Sequence, residues 1–236
     1  MKGVILSINK EVEIVDITHR VGNYNLVEGA FLISQVCPFF PEGTIHLAVI
    51  DPGVGTSRKG LIIQTDNYYF VGPDNGIFSF VLKKEAVRKI VEINRSKFKI
   101  IAPTFEGRDV FAPVAGYISL ERQIEDFGLE IRQIKQLRIE KNSILHIDEF
   151  GNIITSVQRE FNYGENLAVV YRGKKVKAKF VRCFSEVKEG NYLVLKGSSG
   201  YLEVDRNRSS AAKALDARVG EKIEIFKVDE GQEAKG

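Results

Sequence analysis

The chain has 236 residues, 44% hydrophobic and 28% charged, with 34 basic against 31 acidic side chains, three histidines and two cysteines. That length suits one large or two modest domains with a sizeable core, and the interspersed charge of both signs argues against nucleic-acid or anionic-membrane partners. The lone Cys37 and Cys183 exclude a disulfide framework and a cysteine-rich zinc site; with no membrane-length apolar run and no signal-peptide anatomy, a cytoplasmic protein needing neither metal nor cofactor is expected.

In chain order, Glu13–Thr18 reads as a short strand and Leu26–Cys37 as a helix that stops before Pro38. Thr44–Ile50 is an apolar, largely β-branched run of the buried-strand kind. Gly60–Gln64 and Tyr68–Val71 form a predicted hairpin around Asp66-Asn67. Asp109–Leu120 returns to helical spacing, with Pro113 in its first turn. Buried strands alternating with helices predict an α/β domain, a mixed sheet flanked by helices.

The stretch from Leu120 to Asn142 is dense in charge and glutamine and reads as the connection, dividing the chain into residues 1–138 and 139–236. Beyond it, strands are predicted at Ile144–Asp148, Ile153–Val157, Leu167–Tyr171, Val176–Arg182, Tyr192–Lys196, Tyr201–Val204 and Lys222–Val228, with a short helix over Arg208–Leu215. These predict a small all-β, antiparallel, barrel-like C-terminal domain. Asp229–Gly236 reads as a frayed end.

Asp51-Pro52-Gly53-Val54-Gly55-Thr56-Ser57-Arg58 follows directly on a buried strand. A carboxylate there, followed by two glycines, stands where α/β folds place ligand sites, and so short a loop lets Arg58 fold back on Asp51. A turn with a surface ion pair is the competing reading. Pro73-Asp74-Asn75-Gly76 is strong turn chemistry and predicts a structural role. In Thr104-Phe105-Glu106-Gly107-Arg108-Asp109, Thr104 or Asp109 suits a helix cap, while Glu106 is a candidate to join Asp51 in a cleft. Asp148–Asn152 and Gly197–Tyr201 read as hairpin turns, and a serine after Arg206-Asn207-Arg208 as a cap. Lys175, Lys177 and Lys179 alternate with Val176, Ala178 and Phe180, which predicts a solvated strand face rather than an RNA groove. These residues support a cleft enzyme with an Asp/Arg/Glu cluster, without naming a reaction.

Taken in order, Met1-Lys2-Gly3-Val4-Ile5-Leu6-Ser7-Ile8-Asn9, Ile14-Val15-Asp16-Ile17-Thr18-His19, Asp51-Pro52-Gly53-Val54-Gly55-Thr56, Pro73-Asp74-Asn75-Gly76, Thr104-Phe105-x-Gly107-Arg108-Asp109 and Phe150-Gly151-Asn152 form a set. The whole chain resembles the S-adenosylmethionine hydroxide adenosyltransferase family, the hydrolytic relatives of fluorinase and chlorinase. The resemblance implies hydrolysis of S-adenosyl-L-methionine to adenosine and L-methionine by a homotrimer, with no cofactor, nucleic acid or membrane involved. It implies a site formed by the first domain of one subunit and the second domain of its neighbour. Asp51 and Arg58 match the family's water-positioning Asp and Arg. Phe105 and Tyr24 would line the ribose end; Phe150, Asn152, Ser198 and Arg206 the adenine; Asp148 the methionine end.

Halogenating relatives lack the Asp-Pro-Gly-Val-Gly pattern, and the fluorinase carries an inserted loop after this region. The uninterrupted span from Arg58 to Pro73 therefore points to water as the nucleophile. Two departures stand out. Glu106 occupies the place of the family's histidine, so two carboxylates beside one Arg are expected to repel, making one a base near neutrality or weakening turnover. Members also usually carry a strand and a Thr-Asp-Phe-Gly segment ahead of Met-Lys-Gly-Val, and this chain starts after it, which predicts an open sheet edge or a gap. The alternative to an enzyme is a nucleoside- or S-adenosylmethionine-binding protein with little or no turnover.

Overall fold

The computed structural model describes residues 1–228, so the predicted fraying of Asp229–Gly236 lies outside the described residues. The chain forms two compact units, Met1–Arg138 and Ile139–Gly236.

The first unit is built on a five-stranded mixed sheet in the order β1-β3-β2-β4-β5: β1 (Ile45–Leu47), β2 (Gly60–Thr65), β3 (Tyr69–Pro73), β4 (Val87–Ile93) and β5 (Gly128–Glu130). β1 and β3 are parallel and the remaining pairs antiparallel. The central strand β2 is buried on both sides because its alternating residues serve two helix layers. Leu61 and Ile63 face Ile33 and Cys37 around α2 (Leu26–Val36), with Phe70, Ile77 and Phe78. Ile62 faces Phe111, Val114 and Ile118 around α3 (Ala112–Ile118), with Val71 and Val91. The first helix, α1 (Lys2–Ile8), packs Ile5 against Ala112 and Ala115 of α3.

Glu13–Thr18 departs from the predicted strand: no strand forms there. This segment and β1 line the same groove, of about 1180 Å³, and β1 is an edge strand of the sheet among the described residues. Part of the predicted connection also proves structured, since β5 extends the sheet, Lys135 N–H donates to Asp74 (2.8 Å) and Leu137 N–H to Ser79 Oγ (2.8 Å). β4 went unrecognised; its sequence Val-Arg-Lys-Ile-Val-Glu-Ile begins with exposed charge and becomes buried only midway.

The second unit is a seven-stranded sheet in the order β12-β8-β9-β10-β11-β7-β6, comprising β6 (Ile144–Ile147), β7 (Ile153–Thr155), β8 (Asn166–Tyr171), β9 (Lys174–Phe180), β10 (Tyr192–Lys196), β11 (Leu202–Arg206) and β12 (Glu224–Lys227). Its edges meet at one end, where Ser143 bridges Lys222 and Ile144 N–H donates to Glu221 O (2.9 Å), which curls the sheet into a half-barrel. The pattern is antiparallel except for β9–β10, which is parallel because the long connection over residues 181–191 returns the chain to the same end. Lys175, Lys177 and Lys179 are exposed. The helix α4 (Ala211–Leu215) is capped by Ser210 Oγ, which accepts from Lys213 N–H (3.0 Å).

Two stability predictions follow from this packing. A methyl group on Gly72 would stand 2.3 Å from the Ala48 carbonyl oxygen, against the β1 side of the sheet. Gly72→Ala should therefore lose about 1–3 kcal/mol in urea denaturation, and an unchanged midpoint would contradict the β1–β3 packing. In β11, Asp205 is buried with neither carboxylate oxygen hydrogen-bonded among the described residues. Burial, with Glu203 and Asp148 nearby, pushes its pKa up to about 8. The unfolded chain releases this proton near pH ~3.9, so the folded state binds the extra proton, and its contribution to stability falls as pH rises from ~4 to ~8. Asp205→Asn should flatten that part of the stability–pH curve; parallel curves would count against a protonated Asp205.

Candidate active site

Strand direction decides where the site can form. β1, β3 and β4 run one way and β2 the other, so the carboxyl ends of three strands and the amino end of β2 share one end of the sheet. Asp51 follows β1, Arg58 precedes β2, Pro73–Gly76 leaves β3, and Arg95 follows β4.

The Asp51–Arg58 loop folds on itself through Val54 N–H to Asp51 O (3.3 Å) and Thr56 N–H to Gly53 O (3.2 Å). Gly55 takes a φ of 78°, a conformation that favours glycine. Arg58 returns onto Asp51, with Nε donating to Oδ1 at 3.0 Å and Nη2 to Oδ2, a two-pronged pairing. Only 3% of the Arg58 side chain and 6% of the Asp51 side chain is exposed, so this is a buried pair and not the surface ion pair of the competing reading. The Arg58 guanidinium stacks over Phe111, 5.2 Å from the ring centroid. Gly60 makes room for that ring, since a Cβ there would lie 2.9 Å from Phe111 Cε1.

Pro73–Gly76 braces the loop from outside, in keeping with its turn chemistry. Asn75 Nδ2 donates to Ile50 O (2.7 Å) and Asp74 N–H to Lys59 O (2.9 Å). The segment before α3 delivers Glu106. Asp109 does not cap the helix; it lies within a π-type turn (Gly107–Phe111) and reaches back to accept from Ile101 N–H (2.8 Å) and Ala102 N–H (2.9 Å). Arg108 donates to the same carboxylate, and together these bonds hold Asp109 far below the usual carboxylate range. Asp109 thereby fastens the loop that carries Phe105 and Glu106.

Glu106, with 5% of its side chain exposed, places Oε2 2.5 Å from Arg58 Nη2. Its other oxygen is 2.9 Å from Arg95 Nε, an ion-pair contact not aligned as a hydrogen bond, while Arg95 Nη2 lies 3.4 Å from Oε2 and donates to the Arg58 carbonyl oxygen. Sequence reasoning missed Arg95, which lies in Asn94-Arg95-Ser96-Lys97 outside every motif. The signal available was the surplus charge of Glu106. Two carboxylates and two guanidinium groups balance, and the anticipated repulsion around a single Arg is answered by the second.

Such a cluster can hold a water molecule: a carboxylate oxygen accepts its proton while the adjacent guanidinium stabilises hydroxide character. Among the described residues, no group of three His, Cys, Asp or Glu side chains is arranged to hold a metal ion, and no helix is long and apolar enough to cross a membrane. His19 is paired with Asp16 at the surface (3.2 Å), and His46 is buried against Phe70 (5.2 Å), with burial pushing its pKa down to about 4.

The remaining predicted residues distribute by unit. In the first, Tyr24 and Phe105 are 74% and 59% exposed, and Arg108 lies over the Phe105 ring. In the second, Asp148 accepts from Phe150 N–H (3.0 Å), Asn152 N–H (2.9 Å) and Asn152 Nδ2 (2.9 Å), which closes the β6–β7 turn and leaves Phe150 79% exposed. Arg206 donates to Gly190 O (2.7 Å) at the far end of β11 from the turn bearing exposed Ser198, roughly 13 Å along the strand.

Comparison with known proteins gives one result along the whole chain. The family model for the SAM (S-adenosylmethionine) hydroxide adenosyltransferase N-terminal domain matches residues 1–128, and that for its C-terminal domain residues 142–224. A Methanocaldococcus jannaschii protein named (R)-S-adenosyl-L-methionine hydrolase is 37% identical over 96% of this chain and 89% of its own length. A Thermus thermophilus protein of the same name is 34% identical over 90% and 88%. A fluorinase from Actinopolyspora mzabensis is 24% identical over 95% and 90%. The crystal structure of an uncharacterized conserved protein from Thermotoga maritima superimposes with a TM-score of 0.88 at 33% identity, covering 95% of this chain and 92% of that one. With both halves of the family matched in order along one chain, the protein belongs to the SAM hydroxide adenosyltransferase family.

Proposed function

We propose that this protein hydrolyses S-adenosyl-L-methionine to adenosine and L-methionine by in-line attack of water or hydroxide at the ribose C5′. The observation that carries the reading is the buried Asp51–Arg58 pair with Glu106 against the same guanidinium. The reaction displaces a neutral thioether from a sulfonium, so the leaving group needs no acid. What the protein supplies is a held water, an acceptor for its proton and exclusion of competing solvent. Asp51 is the acceptor, Arg58 favours hydroxide character, and Glu106 takes the place a histidine holds elsewhere in the family. Hydrolase relatives at 29–37% identity support water as the nucleophile.

The adenosine end is completed by a neighbouring copy in a homotrimer of the cytoplasm. Tyr24 and Phe105 wall the ribose, Phe150, Asn152, Ser198 and Arg206 approach the adenine, and Asp148 the methionine. The exposure of Tyr24, Phe105 and Phe150 supports this, because large aromatic side chains left open to solvent favour a binding surface. No cofactor is required.

The test is product analysis with the R sulfonium epimer, the one named for the relatives. Equimolar adenosine and methionine are expected, and Asp51→Ala should slow their formation about 10²-fold or more. Binding without product would favour the nucleoside-binding alternative, and full activity in Asp51→Ala would overturn the mechanism.

A further inference from the structure

Resting on the hydrolytic reading, we infer that Arg95 is a positioning residue for this site, the counter-charge that lets Glu106 stand where it does. Arg58 Nη2 is already shared between Asp51 Oδ2 and Glu106 Oε2. One guanidinium between two buried carboxylates leaves a net negative cluster, whose relief is either proton uptake by one carboxylate or a swing of Glu106 away from Arg58. Arg95 removes the need for both. Its Nε lies 2.9 Å from Glu106 Oε1, and its Nη2 holds the carbonyl oxygen of Arg58 itself. The one side chain thus meets both oxygens of Glu106, the one Arg58 holds and the one it does not, and ties down the main chain that aims Arg58 at Asp51.

Arg95 is itself well placed to do this. It opens a single helical turn after β4, capped by Asn94, whose Oδ1 accepts from Ser96 N–H (3.1 Å) and Ser96 Oγ (2.8 Å). Its side chain is 29% exposed against 5% for Glu106, so the charge enters from the rim toward a buried partner. Two contacts at different atoms also require a fork; a lysine at this position supplies the charge but not both contacts. Arg95 touches no reacting atom in this scheme and acts through Glu106 and Arg58.

The experiment combines kinetics with a double-mutant cycle on the full-length protein. For S-adenosylmethionine turnover, Arg95→Met should lower kcat about 10- to 100-fold with KM changed less than about threefold, and Arg95→Lys should recover a substantial part of that loss. In thermal unfolding, Arg95→Met and Glu106→Gln should each lower Tm, whereas the double variant, with both charges gone and Asp51–Arg58 still balanced, should be no less stable than the worse single variant. Additive Tm losses would overturn the pairing whatever the activity. Coupled Tm values with kcat unchanged in Arg95→Met would overturn the positioning role. Absence of product from the wild type would sink the hydrolytic reading and the role in turnover with it, while the stability cycle still decides whether Arg95 and Glu106 are paired.

Discussion

A guanidinium group placed under a protein surface must be met on every edge, and Arg58 is met by Asp51 on one side, Glu106 on another, the Lys59 carbonyl on a third and the face of Phe111 beneath. An unpaired buried charge costs several kcal/mol, so each of these partners constrains the segment that carries it. The loop after β1 must double back, which its glycines permit. The start of β2 must leave room for Phe111, which Gly60 permits. The segment before α3 must arrive with Glu106 turned inward, and the carboxylate of Asp109 secures it by accepting from two main-chain N–H groups. The architecture of the first unit reads as the set of solutions to keeping one cation buried and aimed.

The same constraint applies to Glu106, a second carboxylate at the Arg58 guanidinium, where the family resemblance implies a histidine. A second carboxylate beside an Asp/Arg pair needs a partner of its own in a place with little water to screen it. The charge is answered from β4, a strand whose end reaches the same edge of the sheet through topology alone. Arg95 and Glu106, on two separate segments, are thereby brought into ion-pair contact at 2.9 Å.

Much of this was legible from the residues. The Asp-Pro-Gly-Val-Gly turn, its Arg58 and its position after a buried strand pointed to the site, and the ordered motifs pointed to the family. Strand after strand of the second unit was marked by alternation and turn residues. Arg95 was not legible, because nothing in Asn94-Arg95-Ser96-Lys97 distinguishes it from a solvated basic turn until β4 is known to run parallel to β1. Glu13–Thr18 carried a strand-like pattern but pairs with no strand among the described residues, and an apolar alternation without a partner is not a strand. The parallel β9–β10 pair escaped for a related reason: strand direction depends on what the connecting segment does, and its residues encode only that it is long.

The central claim is that this buried charge cluster delivers water to the ribose carbon next to the sulfonium. It is tested most directly by running the reaction in oxygen-18 water and locating the label by mass spectrometry. The account predicts one labelled oxygen in the 5′-hydroxyl of adenosine and unlabelled methionine. Unlabelled adenosine, or cleavage at another sulfonium bond to give methylthioadenosine, would contradict it.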